Sequence, residues 1–378
     1  MTATENENGS GSAKPEESDP WASVSEYINE HQMLLLDHNV STKEMKFKDG
    51  NIIIDDVRFR LSNLGWSSMC GRMNPVGPRK PPAQYIRHLP SDLQNQIMAY
   101  HFAQVPKRRH FVRAKAHDDG AFIRAMLSET YQRGRFDNAD FMEIINTKFR
   151  KTMPGFRPVS WYMGERVFHV KTLSDAFIQD PVKATLRIGV TFSDSEVGSG
   201  SVVIRPFVRR DGAYTDLFIL GDSFRRKHTG ATKYKDAKGN LVVLDTEALK
   251  AGVQTDRLRI TKDINSYIEK MLEEKDKTIE ETEKVILRYY ETTLPITSWE
   301  EEDLNAFFDW LWKRTAASGL PKGTIKAAVN KLPEYDMKNV WGFFCALCEV
   351  SQNTDREQQL EYEMKAAKVA SHLWSLLR

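Results

Sequence analysis

The sequence predicts an α+β protein: an antiparallel sheet core with an inserted helix, followed by a helical C-terminal region. Three observations carry this. Between residues 110 and 245, short runs rich in Val, Ile and Phe follow one another between turn residues, as strands do. Inside that stretch, NADFMEIINTKFRK (138–151) has helical spacing. Beyond Thr255, apolar residues recur every three or four positions. The connections between the strand-like runs are short, which favours antiparallel pairing.

Residues 1–20 are polar, acidic and Gly/Ser-rich, the composition of a disordered tail rather than of a signal peptide. Trp21, Val24, Tyr27, Ile28 and Met33 recur at helical spacing and predict a short helix. MKFK and NIII flank Asp49–Gly50, a dipeptide that supplies the positive φ of a tight hairpin. PVGPRKPP (75–82) is broken by prolines and predicts a loop or linker. HFVRAKA and AFIRAMLS flank His117–Gly120 as a second hairpin, and PVSWYM and RVFHVKT flank Gly164–Glu165 as a third. Asp137 or Asn138 is placed to cap the helix at 138–151. TLRIGVTFS, GSVVIRPFVRR, YTDLFIL and NLVVLD follow as further strands. In the C-terminal region, one long helix is expected from Ile264 through Tyr289, ending before Pro295. Ser298 of SWEEEDL is expected to cap the next helix, and two more should cover 338–351 and 355–377. The expected division is a tail over 1–20, a basic α+β core over 21–255 and a helical region over 256–378.

Of the 378 residues, 40% are hydrophobic and 28% charged, so the chain can bury a sizeable core. No run of eighteen apolar residues exists, which excludes a membrane-spanning helix and points to a cytoplasmic protein. Cys70, Cys345 and Cys348 make no disulfide framework, and the C-x-x-C of VWGFFCALC lies in an apolar helical pattern that predicts buried thiols. The net charge of +2 hides an asymmetry: residues 51–235 hold thirty Lys/Arg against seventeen Asp/Glu. Residues 1–20 carry net −4 and residues 236–378 net −5, so a basic body stands between acidic flanks. Charge separation of this kind suggests a polyanion as partner of the body.

The basic residues of the body fall into sets. Arg113 and Lys115 share one strand face, because side chains alternate with period two. In AFIRAMLS, Phe122, Arg124 and Met126 should face away from Ile123, Ala125 and Leu127. Arg205 and Arg209, followed by Arg210, lie opposite Ile204 and Val208. A sheet with one apolar face and one arginine face could lay the latter along a phosphate backbone, where guanidinium forks fit phosphate oxygens. Arg225, Arg226, Lys227 and His228 form a basic run before a glycine, and Lys107, Arg108 and Arg109 a similar run after Pro106; both suit phosphate contacts. Trp161, with Tyr162, Phe168 and Tyr131, is a candidate for stacking bases.

SEVGSGS could form a backbone nest for phosphate, but it lacks the Gly-Lys-Ser/Thr of a P-loop, and a structural loop is the favoured reading. Asp194 and Glu196 could bind magnesium, with His228 nearby in sequence, as in a metal-dependent nuclease. Two carboxylates without a third acid do not define a metal site, so neither a metal nor a cofactor is expected. Ser193, Ser195, Asp222 and His228 show no nucleophile elbow.

TFSDSEVGSGSVVIRPFVRRDG (191–212), RRKHTG (225–230), FIRAMLSETYQRGRFDNADFMEII (122–145) and NVWGFFCALCEVSQN (339–353) together resemble the phage/plasmid-like family known as domain of unknown function 932. The resemblance spans roughly 50–375 and implies a phage, prophage or plasmid origin in a bacterial host cell, with no settled activity. The strand–helix order is similar to that of strand-annealing recombination proteins. The expectation is therefore a non-enzymatic, oligomeric single-stranded DNA-binding protein, with replication or recombination proteins as further partners. The alternatives are a self-assembling phage scaffold protein and a metal-dependent nucleic-acid-processing enzyme.

Overall fold

The computed structural model describes residues 19–73, 83–129, 135–179, 185–198, 200–210, 215–218, 223–227, 233–235, 241–243, 255–354 and 356–378. The fold is α+β, as the sequence predicts. PVGPRKPP, Tyr131 and His228 lie outside the described residues, as does the side chain of Arg210.

The described residues open with helix α1 (Pro20–Met33), started by the Asp19 carboxylate, which accepts from the Trp21 amide. It runs straight into β1 (Leu35–Ser41). Strands β2 (Met45–Lys48) and β3 (Asn51–Ile54) form the expected hairpin, with Asp49 at φ 50° and Gly50 at φ 75°. After β4 (Val57–Leu61) come α2 (Asn63–Arg72), α3 (Ala83–Arg87) and α4 (Ser91–Gln104), then the hairpin β5 (Arg109–His117) and β6 (Gly120–Ser128). These strands make one six-stranded sheet in the order β1-β5-β6-β4-β3-β2.

One pair of that sheet departs from the antiparallel expectation: β4 runs parallel to β6, because three helices carry the chain from β4 to β5 and the β5–β6 hairpin then reverses it. The alternation expected in β6 also fails. Arg113 pairs with Ala125 and Ala114 with Ile123, so Arg124 is an extra residue in a β-bulge. The bulge returns Met126 to the side of Ile123, and both are buried with Val112, Ala114 and Phe59 beneath the helices.

The predicted helix at 138–151 is present, capped by Asp137, whose backbone amide in turn donates to Asp140. It comprises α5 (Asn138–Ile144), a π-helical stretch Ile145–Phe149, and α6 (Arg150–Thr152). The second sheet follows: β7 (Phe156–Met163), β8 (Phe168–Gln179), β9 (Thr185–Asp194), β10 (Ser201–Arg210) and β11 (Thr215–Phe218) in an antiparallel meander. Strand β12 (Phe224–Lys227) also pairs with β10. A small hairpin is formed by β13 (Lys233–Lys235) and β14 (Leu241–Val243). The sheet core is thus two sheets rather than one.

Phe168, Val170, Val190, Phe192, Val202, Ile204 and Phe224 alternate onto one face of the second sheet and are buried against α1, α5 and α7 (Thr255–Glu273). The expected single long helix breaks at Glu274, and α8 (Lys275–Glu291) continues beyond it. Ser298 is not the cap of α9 (Glu301–Thr315): Glu300 is, and Asp303 reaches back to accept from the amide and hydroxyl of Ser298. Helix α10 (Lys322–Tyr335) was not expected, since Gly323 and Pro333 obscure a stripe of Ile325, Ala328, Val329 and Leu332. Helices α11 (Val340–Gln352) and α12 (Arg356–Leu377) match expectation, and α11 buries Cys345 and Cys348. The C-terminal helices share their core with Leu173, Leu186, Phe207 and Val208 of the second sheet.

Candidate nucleic-acid interface

Arg113, Lys115 and Arg124 do lie on the face of the first sheet opposite its apolar core. That face, however, is closed. The N-cap of α5, the end of α1 and the β9–β10 turn all press onto it. Arg113 is fully buried: it grips both carboxylate oxygens of Asp37 at 3.2 and 3.0 Å and donates to Asp137 at 2.8 Å and to the Glu196 carbonyl at 2.9 Å. Arg124, aimed by its bulge, donates to Glu196 Oε1 at 2.6 Å and to the Glu165 carbonyl at 3.1 Å. Arg135 bridges Asp37 and Asp137 at 3.1 and 2.6 Å. A phosphate cannot reach guanidinium groups enclosed and paired in this way, so the expectation of Arg113 and Arg124 as phosphate contacts is corrected.

Lys115 is half-buried, with its Nζ 3.0 Å from His31 Nδ1, while His31 Nε2 lies 2.7 Å from Glu196 Oε1. Burial first, with Arg124 and Lys115 adding and Glu196 opposing, lowers the His31 pKa. Because an ammonium only donates and a carboxylate only accepts, the contacts fit a ring that accepts from Lys115 at Nδ1 and donates from Nε2–H to Glu196. Burial first, then Arg124, also lowers the Lys115 pKa, with Glu196 opposing. Burial alone would push the Glu196 carboxyl up; the His31 hydrogen bond and the Arg124 and Arg113 charges outweigh it and hold the group well below the usual carboxylate range.

This ionic seam joins the two sheets. It accounts for SEVGSGS as a structural turn: Gly198 takes φ 69°, its amide donates to the Ser195 carbonyl at 3.1 Å, and Ser195 Oγ donates to the Arg166 carbonyl at 2.6 Å. Glu196 serves arginines, which leaves it unsuited to a metal. Among the described residues, no group of three His, Cys, Asp or Glu side chains could hold a metal ion. Sequence reasoning missed His31, Asp37, Arg135 and the ionic role of Asp137; only the last had a signal, its place at a helix start.

The remaining candidates divide between the sheets. Lys107 and Arg109 are exposed at the entrance to β5, where Arg109 pairs with Glu129 at 3.0 Å; Arg108 donates to the Arg72 carbonyl. Trp161 does not face the basic residues. It lies on the apolar face of the second sheet, against the Tyr27 ring of α1 with centroids 4.7 Å apart. Phe168 is likewise core.

The opposite face of the second sheet is different. Period-two alternation places Arg205, Phe207 and Arg209 of β10 there, and register places Thr191, Lys171 and Ser160 in line with Arg205 across β9, β8 and β7. Arg225 and Lys227 of β12 stand opposite Val203 and Ser201 on the same face, and both are exposed. Arg225 donates to Ser201 Oγ at 3.5 Å, a long contact, and Arg205 to Ser223 Oγ at 3.3 Å. Tyr162 and His169 share this face as a ring pair with centroids 5.4 Å apart. Burial first, with Tyr267 opposing and Arg225 adding, lowers the Arg205 pKa. Arg226 points the other way and pairs with Asp263 of α7 at 2.8 Å. Lys171 is taken up by Glu363 of α12, at 2.9 and 3.0 Å to its two oxygens.

No family model matches this chain, and no curated protein or solved structure matches it either. No helix among the described residues is long and apolar enough to cross a membrane.

Proposed function

We propose that this chain binds single-stranded nucleic acid in a sequence-tolerant manner and catalyses no reaction on it. The observation that carries the reading is the exposure of Arg225 and Lys227 on one sheet face together with Arg205 and Arg209. Arg225 and Lys227 offer exposed phosphate contacts, with Arg205 and Arg209 partly exposed beside them, while Lys171, Thr191, Phe207 and His169 of the same face are buried. A carboxylate locked among arginines supports binding over metal-dependent cleavage. The similarity of the strand–helix order to that of strand-annealing recombination proteins is the ground for a setting in replication or recombination, where annealing would require one strand held extended with its bases open.

The test is fluorescence anisotropy with a labelled single-stranded oligonucleotide over a salt series, with duplex DNA in parallel. The expected result is single-strand binding that weakens steeply with salt and is impaired in Arg225→Ala/Lys227→Ala. Absence of binding at low salt, or equal binding by the double variant, overturns the proposal.

A further inference from the structure

Strand β1 is the outer edge of the first sheet, and no strand among the described residues pairs with its outer side. The Ala116 amide donates to the Leu34 carbonyl at 2.8 Å and the Thr42 amide to the Arg108 carbonyl at 2.9 Å. These bonds fix the even-numbered residues of β1 as those facing β5. By antiparallel alternation, Leu35, Asp37 and Asn39 turn their amides and carbonyls outward. The Ser41 amide, next in that row, is closed by Glu44 Oε2 at 2.6 Å. Apolar side chains flank the open ladder: Met33 is 80% exposed, Leu34 42% and Leu36 38%.

The other sheet edges carry the devices that prevent strand addition. Strand β2 bears exposed Lys46 and Lys48. Strand β7 has Pro158 and an irregular register next to it. Strands β11 and β12 are four residues each, and β12 bears Arg225, Arg226 and Lys227. Edge strands without such protection are templates for pairing.

We infer that β1 is a self-association edge, pairing antiparallel with β1 of a second copy of this chain to make one continuous sheet. The strand suits its own copy. A two-fold axis at Leu36 sets Leu36 against its counterpart, Leu34 against His38 and Leu35 against Asp37. The only carboxylate of β1, Asp37, is turned inward to Arg113 and Arg135, so two copies bring no like charges face to face. The interface does not depend on nucleic-acid binding.

Sedimentation velocity of the full chain over a concentration series, without nucleic acid, tests this. The wild type is expected to dimerise. Leu36→Lys places a charge against its counterpart, and Leu34→Lys removes an apolar side chain that stands opposite His38 of the second copy. Each should raise the dimer dissociation constant at least roughly tenfold while leaving the circular dichroism melt in place. Both side chains are exposed, so both variants should fold. A wild type that stays monomeric throughout, or an association that Leu36→Lys leaves unchanged, overturns the inference whatever the outcome of the oligonucleotide titration.

Discussion

Arg124 and Glu196 meet at 2.6 Å across the boundary between the two sheets, with both side chains buried. The contact exists because a bulge adds one residue to β6 and turns the guanidinium onto the face that the β9–β10 turn covers. Around it, Arg113, Arg135, His31 and Lys115 complete a seam in which each buried cation has an acceptor.

Removing the central carboxylate should be severe. Glu196→Ala leaves Arg124 buried without a carboxylate partner, while Arg113 keeps Asp37 and Asp137, so the loss should be roughly 3–5 kcal/mol for a broken buried pair. Chemical denaturation should show a lower midpoint with an unchanged slope. A midpoint within error of wild type would mean the seam contributes nothing net.

Acid should weaken the fold in two stages. The lowered folded pKa of His31 means the unfolded chain takes up its proton first, so stability is complete above about 6.5 and falls as pH drops below it. His110, pushed down to about 3 by burial first and by Arg72 and Arg108, contributes to the same stage. Glu196, also lowered, retains its contribution above its ordinary value of 4.5 and loses it below. Melting temperatures measured from pH 8 to pH 3 should therefore fall less steeply in His31→Gln near neutrality and less steeply in Glu196→Gln under acid. Parallel curves for wild type and both variants would contradict the assignment.

Lys171 and Glu363 bind the second sheet to α12, and both are buried. Lys171→Met alone should cost roughly 3–5 kcal/mol, whereas Lys171→Met/Glu363→Leu should recover most of it, because the orphaned charge is gone. A double-mutant cycle on denaturation midpoints gives the coupling, and strict additivity would refute it.

Gly189 has no room for a side chain. An added Cβ would stand 2.2 Å from the Phe207 ring and 2.4 Å from the Thr172 carbonyl oxygen. Gly189→Ala should destabilise by roughly 1–3 kcal/mol through forced displacement of core and backbone. Phe207→Leu should not rescue it, since the carbonyl contact remains; full rescue would place the strain on the ring alone.

If Arg225 and Lys227 contact phosphates, Arg225→Ala/Lys227→Ala should reduce the salt slope by roughly one to two counterions. Lys107→Ala/Arg109→Ala, on the other sheet, serves as the comparison. Equal flattening by both pairs would spread the interface over both sheets.

Much of the fold was legible in the sequence because it is locally encoded. Asp49–Gly50 sets a hairpin, Asp137 starts a helix, and β7 to β10 each show their alternation within ten or so residues. Short-range geometry ties each of these signals to its own neighbours. The apolar period of 255–291 likewise announced helix, though not its break at Glu274.

Tertiary structure alone decided which arginines meet solvent. Arg113 and Arg225 were both candidates for phosphate contact, the first alternating with apolar residues on a strand and the second in the basic run Arg225–His228. One is enclosed by Asp37, Asp137 and Glu196, which lie 76, 24 and 83 positions away, and the other is exposed. Alternation states which side of a sheet a residue occupies. Whether that side is covered depends on the packing of distant segments, because burying a charge is favourable only where such segments deliver the opposite charge and the hydrogen bonds to match.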